Sequence, residues 1–65
     1  MTKQTDEAAL PQLLTIEQSA EILNTSVKTV RRRIEASELP VIRDGRILRV
    51  HPSDLARYIS ARRSL

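Results

Sequence analysis

The chain of 65 residues has no cysteine, tryptophan or phenylalanine, and only one histidine, one glycine and one tyrosine. Without cysteine it can form neither a disulfide framework nor a thiolate zinc site. The single histidine, His51, has Asp54 at a predicted helix start as its nearest carboxylate, so we expect it to cap that helix or to be exposed. We therefore expect no metal, no cofactor and no stabilising cross-link.

The sequence also lacks the combinations of residues that form catalytic sites. It pairs no nucleophile with a base, offers no set of metal ligands, and with one glycine it has no glycine-rich loop for phosphates. Tyr58, the only aromatic residue, suits a core position with its hydroxyl at the surface better than a stacking platform for single-stranded nucleic acid. We expect a binding protein that is not an enzyme.

Long apolar runs are absent as well. No stretch approaches the roughly 18 apolar residues of a membrane-spanning helix, and the N-terminus lacks the apolar core of a secretory signal. We expect no membrane contact and a location in the bacterial cytoplasm, associated with the nucleoid. A chain this short forms one domain at most and buries only about 60% of its unfolded surface, so we expect marginal stability.

Positive charge is abundant and unevenly distributed. The net charge is +3, but residues 1–26 hold one lysine against four acidic residues, whereas residues 27–65 hold ten lysines and arginines against four. The two parts therefore carry −3 and +6. A basic surface confined to one part of a small chain is typical of a protein that binds a polyanion. The alternative is that the cations only keep the protein soluble.

Residues 1–12 are polar with no sustained period, and we interpret them as a flexible tail ahead of a domain spanning residues 13–65. Thr15 and Gln18 have the spacing of a capping box, which predicts a first helix beginning after Thr15. Asn24 is predicted to end it, because asparagine tolerates the left-handed conformation common at helix C-termini. The apolar stripe of this helix consists of Ile16, Ala20 and Leu23.

A second helix is predicted over residues 27–36, with Ser26 as its cap. Its buried face consists of Val27, Val30 and Ile34. On a helical wheel Arg32 lies opposite that face, with Lys28 and Thr29 to either side of it and Arg31 and Arg33 on the flanks. The outward face is therefore cationic. A run of charged residues is usually a solvent-exposed helix face. Here the run follows a tight turn between two helices, which favours a role in DNA recognition.

Two short β-branched segments follow at residues 41–43 and 46–50. Asp44 and Gly45 join them and best fit the two-residue turn of a type I′ hairpin. Period-two alternation places Leu48 and Val50 on one face, with Ile47 and Arg49 on the other. Ile42 is predicted to point inward.

Pro52 suits the first turn of a third helix, and Asp54 lies where its charge stabilises the helix N-terminus. We expect Arg62 and Arg63 in its last turn, where cations offset the C-terminal partial charge. The apolar side of this helix consists of Leu55, Tyr58 and Ile59. The order helix, turn, helix, hairpin, helix predicts a mainly α fold with a small two-stranded antiparallel β-hairpin, the winged helix-turn-helix.

Several separated segments resemble the excisionase-type DNA-binding domains, which are small relatives of the MerR-type winged helix. The resemblance is carried by residues 14–23, Thr29 and Val30, residues 38–40, Gly45 and Arg46, and residues 54–59. It implies a recognition helix in the major groove and a basic wing on the backbone or the adjacent minor groove. The chain departs from the pattern at Asn24 and Ser37, where glycine is usual, and at Arg33, where an apolar residue is usual.

We expect nine side chains to contact double-stranded DNA, in three groups. The base-reading group, chosen because arginine and lysine pair with guanine and a threonine methyl packs on thymine, is Lys28, Thr29 and Arg32. The group on the backbone beside the recognition helix is Ser26, Arg31 and Arg33. The wing group, in which the residue beside the turn is the strongest candidate, is Arg43, Arg46 and Arg49.

The resemblance implies an excisionase, or recombination directionality factor, of a phage or integrative element. Such a protein binds tandem sites, bends DNA and steers an integrase towards excision. We expect neither the long dimerisation helix nor the effector domain of a MerR-type regulator, and with no heptad repeat we expect a monomer in solution whose copies lie side by side on DNA. Two alternatives remain open: a small transcriptional repressor of a phage or plasmid, and a protein-interaction module presenting its basic helix to an acidic partner.

Overall fold

The computed structural model describes residues 10–63 of the chain. Over this part it contains three helices and one two-stranded antiparallel sheet. The order is α1 (Ile16–Leu23), α2 (Val27–Glu35), β1 (Ile42–Asp44), β2 (Ile47–Arg49) and α3 (Pro52–Ala61). This is the winged helix-turn-helix that the sequence predicts. The flexible tail over residues 1–12 stays a prediction, because residues 1–9 lie outside the described part.

Helix α1 begins and ends at the predicted caps. The Thr15 hydroxyl accepts the Gln18 N–H at 2.9 Å, and the Gln18 side-chain oxygen accepts the Thr15 N–H at 2.9 Å. Two N–H groups without a helical partner are thereby satisfied. Asn24 ends the helix in the left-handed conformation, with φ of 56°. The turn to α2 is therefore only three residues long, residues 24–26.

Helix α2 is capped by Ser26, whose hydroxyl accepts the Thr29 N–H at 3.1 Å. Its last helical residue is Glu35 and its C-cap is Ala36, within one residue of the prediction. Ser37 then adopts a left-handed conformation with φ of 61°. Asn24 and Ser37, the two residues found where glycine is usual, thus both adopt the backbone conformation that normally selects glycine.

The hairpin differs from its prediction by one residue. Its register pairs Ile42 with Arg49, Arg43 with Leu48, and Asp44 with Ile47. The turn therefore consists of Gly45 and Arg46, and the predicted turn at Asp44 and Gly45 was wrong. Gly45 has φ of 64°, whereas Arg46 is not among the residues with positive φ. This is the pattern of a type II′ turn, which needs positive φ only at its first central residue, whereas type I′ needs it at both.

The inward orientation predicted for Ile42 was also wrong. Directly paired residues share a face of the sheet, so Ile42 lies beside Arg49 on the outer face, and 40% of its surface is exposed. Val41, one residue earlier, packs against the core instead. The position of the turn does not explain this difference, because a turn at Asp44 and Gly45 would pair Ile42 with Ile47, which lies on the same outer face as Arg49. Leu48 and Val50 face the core, as predicted.

The core draws on all three helices and on the segments flanking the hairpin. Its buried members are Ile16, Ala20, Val30, Leu39, Val50 and Leu55. The stripes predicted on α1 and α2 are confirmed, with Leu23, Val27 and Ile34 packed at the edge of the core. Leu39, in the segment between α2 and β1, was not predicted, although only 1% of its surface is exposed. Buried Ser19 donates its hydroxyl to the Thr15 carbonyl at 2.9 Å, which satisfies it.

An isolated β-bridge ties the residue ahead of the α1 cap to the end of the hairpin. The Leu14 N–H donates to the Val50 carbonyl at 2.9 Å, and the Val50 N–H donates back at 2.8 Å. A single bridging residue has no periodicity, so the sequence did not predict this contact. The bridge joins the segments that lead into α1 and α3.

Helix α3 begins at Pro52 behind His51, whose Nδ1 accepts the Ser53 N–H at 3.0 Å. The capping role expected of His51 is confirmed. The helix ends at Ala61, so Arg62 is its C-cap and Arg63 lies beyond it. Their predicted place in the last turn was wrong, and the Arg62 side chain points instead to Glu38 and Tyr58. Among residues 10–63, no helix has the length and apolar character needed to cross a membrane.

Candidate nucleic-acid interface

Helix α2 separates its apolar and cationic residues onto opposite sides. Val30 is completely buried, whereas Lys28 and Arg32 are exposed. At about 100° per residue, these two cations lie roughly 130° to 170° around the helix from the centre of the buried face. Two of the three predicted base-reading residues therefore lie together on the solvent side of α2.

Thr29, the third base-reading candidate, takes part in the helix cap. Its hydroxyl oxygen accepts a hydrogen bond from the Ser26 hydroxyl at 3.0 Å, while the Ser26 oxygen accepts the Thr29 N–H. A hydroxyl has one hydrogen to donate, so Ser26 has used its own. Thr29 keeps its hydroxyl hydrogen and its methyl group for another partner. The cap uses the Ser26 hydroxyl as both donor and acceptor, and the phosphate contact expected of Ser26 stays a prediction.

Arg31 and Arg43 border one groove between α2 and the hairpin. The groove has a volume of about 190 Å³ and is also lined by Ile34, Glu35 and Leu48. The strand register places Arg43 on the same face as Leu48, which packs towards the core, so Arg43 lies on the α2 side of the hairpin. One flank of the recognition helix and one strand of the wing thus present two guanidinium groups around a single concave surface.

The other two predicted wing arginines lie elsewhere on the hairpin. Arg46 is the second central residue of the turn and is exposed at the tip. Arg49 lies on the outer face, partly buried, and its guanidinium Nη1 donates to the Leu48 carbonyl at 2.8 Å. The structure therefore separates the three: Arg43 borders the groove, Arg46 lies at the tip, and Arg49 is bound to the hairpin's own backbone.

Arg33 lies on the opposite flank of α2 from Arg31. Its Nη1 is 3.5 Å from Glu38 Oε1, and the same oxygen accepts a hydrogen bond from Arg62 Nη2 at 2.7 Å. The Arg62 guanidinium carbon lies 3.8 Å from the centroid of the Tyr58 ring. This cluster was not predicted, because Glu38 and Arg62 are 24 residues apart and no local pattern links them.

Tyr58 packs against the core, as predicted, and also lies beneath Arg62. Together with Arg33 and residues of α1 and α2 it lines a cavity of about 180 Å³. Among the residues that the structure describes, no group of three or more histidine, cysteine, aspartate or glutamate side chains is placed to hold a metal ion.

Two helices joined by a three-residue turn, a second helix with outward cations and a hairpin beside it define a winged helix-turn-helix. A family model described as a helix-turn-helix domain matches residues 13–63. The chain belongs to this family of DNA-binding domains, which includes excisionase-like proteins. None of the curated proteins matches the chain. Membership of this family supports the predicted fold and the expectation of DNA binding.

Proposed function

We propose that the protein binds double-stranded DNA sequence-specifically, with α2 in the major groove and the β1–β2 hairpin as a wing on the flanking backbone. The observation that carries this proposal is the groove that Arg31 and Arg43 share between α2 and the hairpin. The two cations come from separate elements and outnumber the one carboxylate of the lining, that of Glu35, so this concave surface suits the phosphate wall of a duplex. Each phosphate they neutralise releases counterions, which favours binding and makes it salt-dependent.

In this proposal, side chains on the solvent side of α2 select the DNA sequence. Phosphate contacts fix the register of a protein on the duplex, but only contacts at base edges or DNA deformation select a sequence. Lys28 and Arg32 are exposed opposite the core, and either can pair with the O6 and N7 atoms of guanine. Thr29 adds a hydroxyl donor and a methyl group that can pack on thymine.

We further infer that the biological role is that of an excisionase, or recombination directionality factor, of a phage or integrative element. Membership of a family that includes excisionase-like proteins supports this role. One small domain contacts few base pairs and buries little surface, so a strong complex needs several copies on neighbouring sites. Such an array bends the DNA and assists an integrase, which performs the chemistry. No catalytic step is assigned to this chain.

The test is to incubate the purified protein with fragmented genomic DNA of its own source at physiological salt, and to sequence the retained fragments. An Arg32→Ala variant serves as the matched control, since it removes one proposed base contact from the exposed side of α2. Enrichment of a defined sequence by the wild-type protein, reduced with the variant, is the expected result.

The genomic position of the enriched sites distinguishes the biological roles. Tandem sites in one orientation beside an integrase attachment region support the excisionase role. Sites over a promoter contradict it and favour a small transcriptional regulator that uses the same surface. Retention without enrichment contradicts sequence-specific binding and leaves an acidic protein partner for the basic helix.

A further inference from the structure

We propose that Glu38 is a positioning residue that holds Arg33 away from the DNA backbone and so lowers the number of phosphates that the protein neutralises. The inference rests on the proposed placement of α2 in the major groove. It changes the role expected for Arg33 from a phosphate contact to a cation retained within the protein.

A single carboxylate oxygen of Glu38 contacts cations from two helices. Arg33 reaches it from α2, at 3.5 Å, and Arg62 reaches it from the end of α3, at 2.7 Å. Glu38 follows directly after the left-handed Ser37, which turns the chain back at the end of α2. The Glu38 carboxylate therefore lies between α2 and Arg62, which is the C-cap residue of α3.

Tyr58 contributes to the position of the Arg62 side chain. Its guanidinium lies over the Tyr58 ring at 3.8 Å, and Tyr58 packs against the core. Stacking on an aromatic face and a charge-assisted hydrogen bond to a carboxylate both favour this position of the Arg62 guanidinium. Arg62 thereby favours the observed position of Glu38, whose carboxylate in turn attracts Arg33.

Without Glu38, Arg33 has the placement needed to reach a phosphate. It lies about 90° around α2 from the centre of the buried face, on the flank opposite Arg31. Side chains on the two flanks of a recognition helix point towards the two backbone walls of the major groove. Arg31, on the flank of α2 nearer the hairpin, has no ion pair within residues 10–63. Arg33, on the opposite flank, is paired with Glu38.

The cluster affects charge placement more than folding. The side chains of Arg33, Glu38 and Arg62 are 46%, 38% and 43% exposed, and ion pairs this exposed contribute little to stability. A Glu38→Gln variant is therefore expected to fold. Because glutamine keeps the shape and an oxygen acceptor, the substitution removes the charge with little other change.

The experiment measures the salt dependence of binding to a random-sequence duplex by fluorescence anisotropy, for wild type, Glu38→Gln, Arg33→Ala and the double variant. One additional phosphate contact steepens the slope of log K against log salt by about 0.9. For Glu38→Gln we expect this steepening, equivalent to roughly a threefold greater loss of affinity between 50 and 200 mM salt. Arg33→Ala is expected to leave the wild-type slope unchanged and to abolish the steepening in the double variant.

Glu21→Gln is the matched control, since it removes one negative charge from an exposed position on α1. Equal changes in slope for Glu21→Gln and Glu38→Gln overturn the inference, because net charge alone then explains them. A slope reduced by about one in the single Arg33→Ala variant also overturns it, since Arg33 then contacts a phosphate in the wild type. The Arg33→Ala measurement can therefore contradict the inference even if the Glu38→Gln variant fails to fold. A wild-type protein that binds no DNA overturns the proposed function, and the inference with it.

Discussion

Residues in and beside α2 differ in burial and in hydrogen bonding, and these differences separate the ones that stabilise the fold from the ones that are free to bind. Val30 is completely buried, Ser26 and Thr29 form the cap, and Lys28 and Arg32 are exposed without ion pairs within residues 10–63. Long cationic side chains on the solvent side cost conformational entropy if they are ordered and gain nothing from the core. Their contribution is therefore expected in binding and not in stability.

Replacing Lys28 or Arg32 with alanine is expected to weaken binding to the specific site by about 1 to 3 kcal/mol and binding to random DNA by much less. The reason is that a base contact is lost only where the right base is present. Competition binding on the two DNAs measures the difference, with circular dichroism to confirm that the variants fold. Equal losses on both DNAs would reassign these residues to phosphate contacts.

Removing the α2 cap is expected to reduce stability. Ser26→Ala leaves the Thr29 N–H without its acceptor and is expected to lower the free energy of unfolding by about 1 kcal/mol. Urea denaturation followed by circular dichroism measures the change. Ser60→Ala, on the exposed surface of α3, is the control and is expected to change stability by less than about 0.5 kcal/mol. A Ser26→Ala variant as stable as this control would show that the cap contributes nothing.

At the level of elements, the helices were predictable because their signals are local. The capping box of α1, the Ser26 cap of α2 and Pro52 at the start of α3 each act within one helical turn, and all three are observed. The hairpin was predicted, but not its register. Gly45 suits the second central position of a type I′ turn or the first central position of a type II′ turn, and the choice moves the turn by one residue and each strand partner by two.

The wing is expected to contact DNA through phosphates alone. Arg46→Ala should weaken binding to all sequences alike and reduce the magnitude of the salt slope by about 0.9, because Arg46 lies at the exposed tip of the hairpin. Arg57→Ala is the matched control, since Arg57 is an exposed arginine of α3 paired with Asp54 at 3.6 Å. Salt titrations on specific and random duplexes compare the two. An unchanged slope for Arg46→Ala would remove the wing tip from the interface.

At the level of the whole molecule, contacts between elements hold a chain that has no disulfide bond. The Leu14 to Val50 bridge joins the segments ahead of α1 and α3, and Leu39 fills the core from a turn segment. Proteins of this size have little free energy of unfolding in reserve. Each such contact is therefore a large fraction of the total.

Leu39→Ala is expected to lower the free energy of unfolding by about 2 to 5 kcal/mol, because it removes one of the largest fully buried side chains and leaves a cavity. A substantial unfolded population in water is the expected consequence. Thermal and urea denaturation measure it, with Ile22→Ala as the control, since 54% of the Ile22 surface is exposed. A Leu39→Ala variant no less stable than the control would mean that the core collapses around the missing side chain.

The sequence by itself determined the three helices, the presence of the hairpin, the inward stripes of α1 and α2 and the cationic outer side of α2, because caps and periodicity act over a few residues. Only the tertiary structure decided the strand register, the burial of Leu39 and the division of the arginines between the groove, the wing tip, the hairpin backbone and Glu38. These depend on side chains that are distant in the chain, such as Glu38 and Arg62, and their contacts exist only once α2 and α3 have packed on one core.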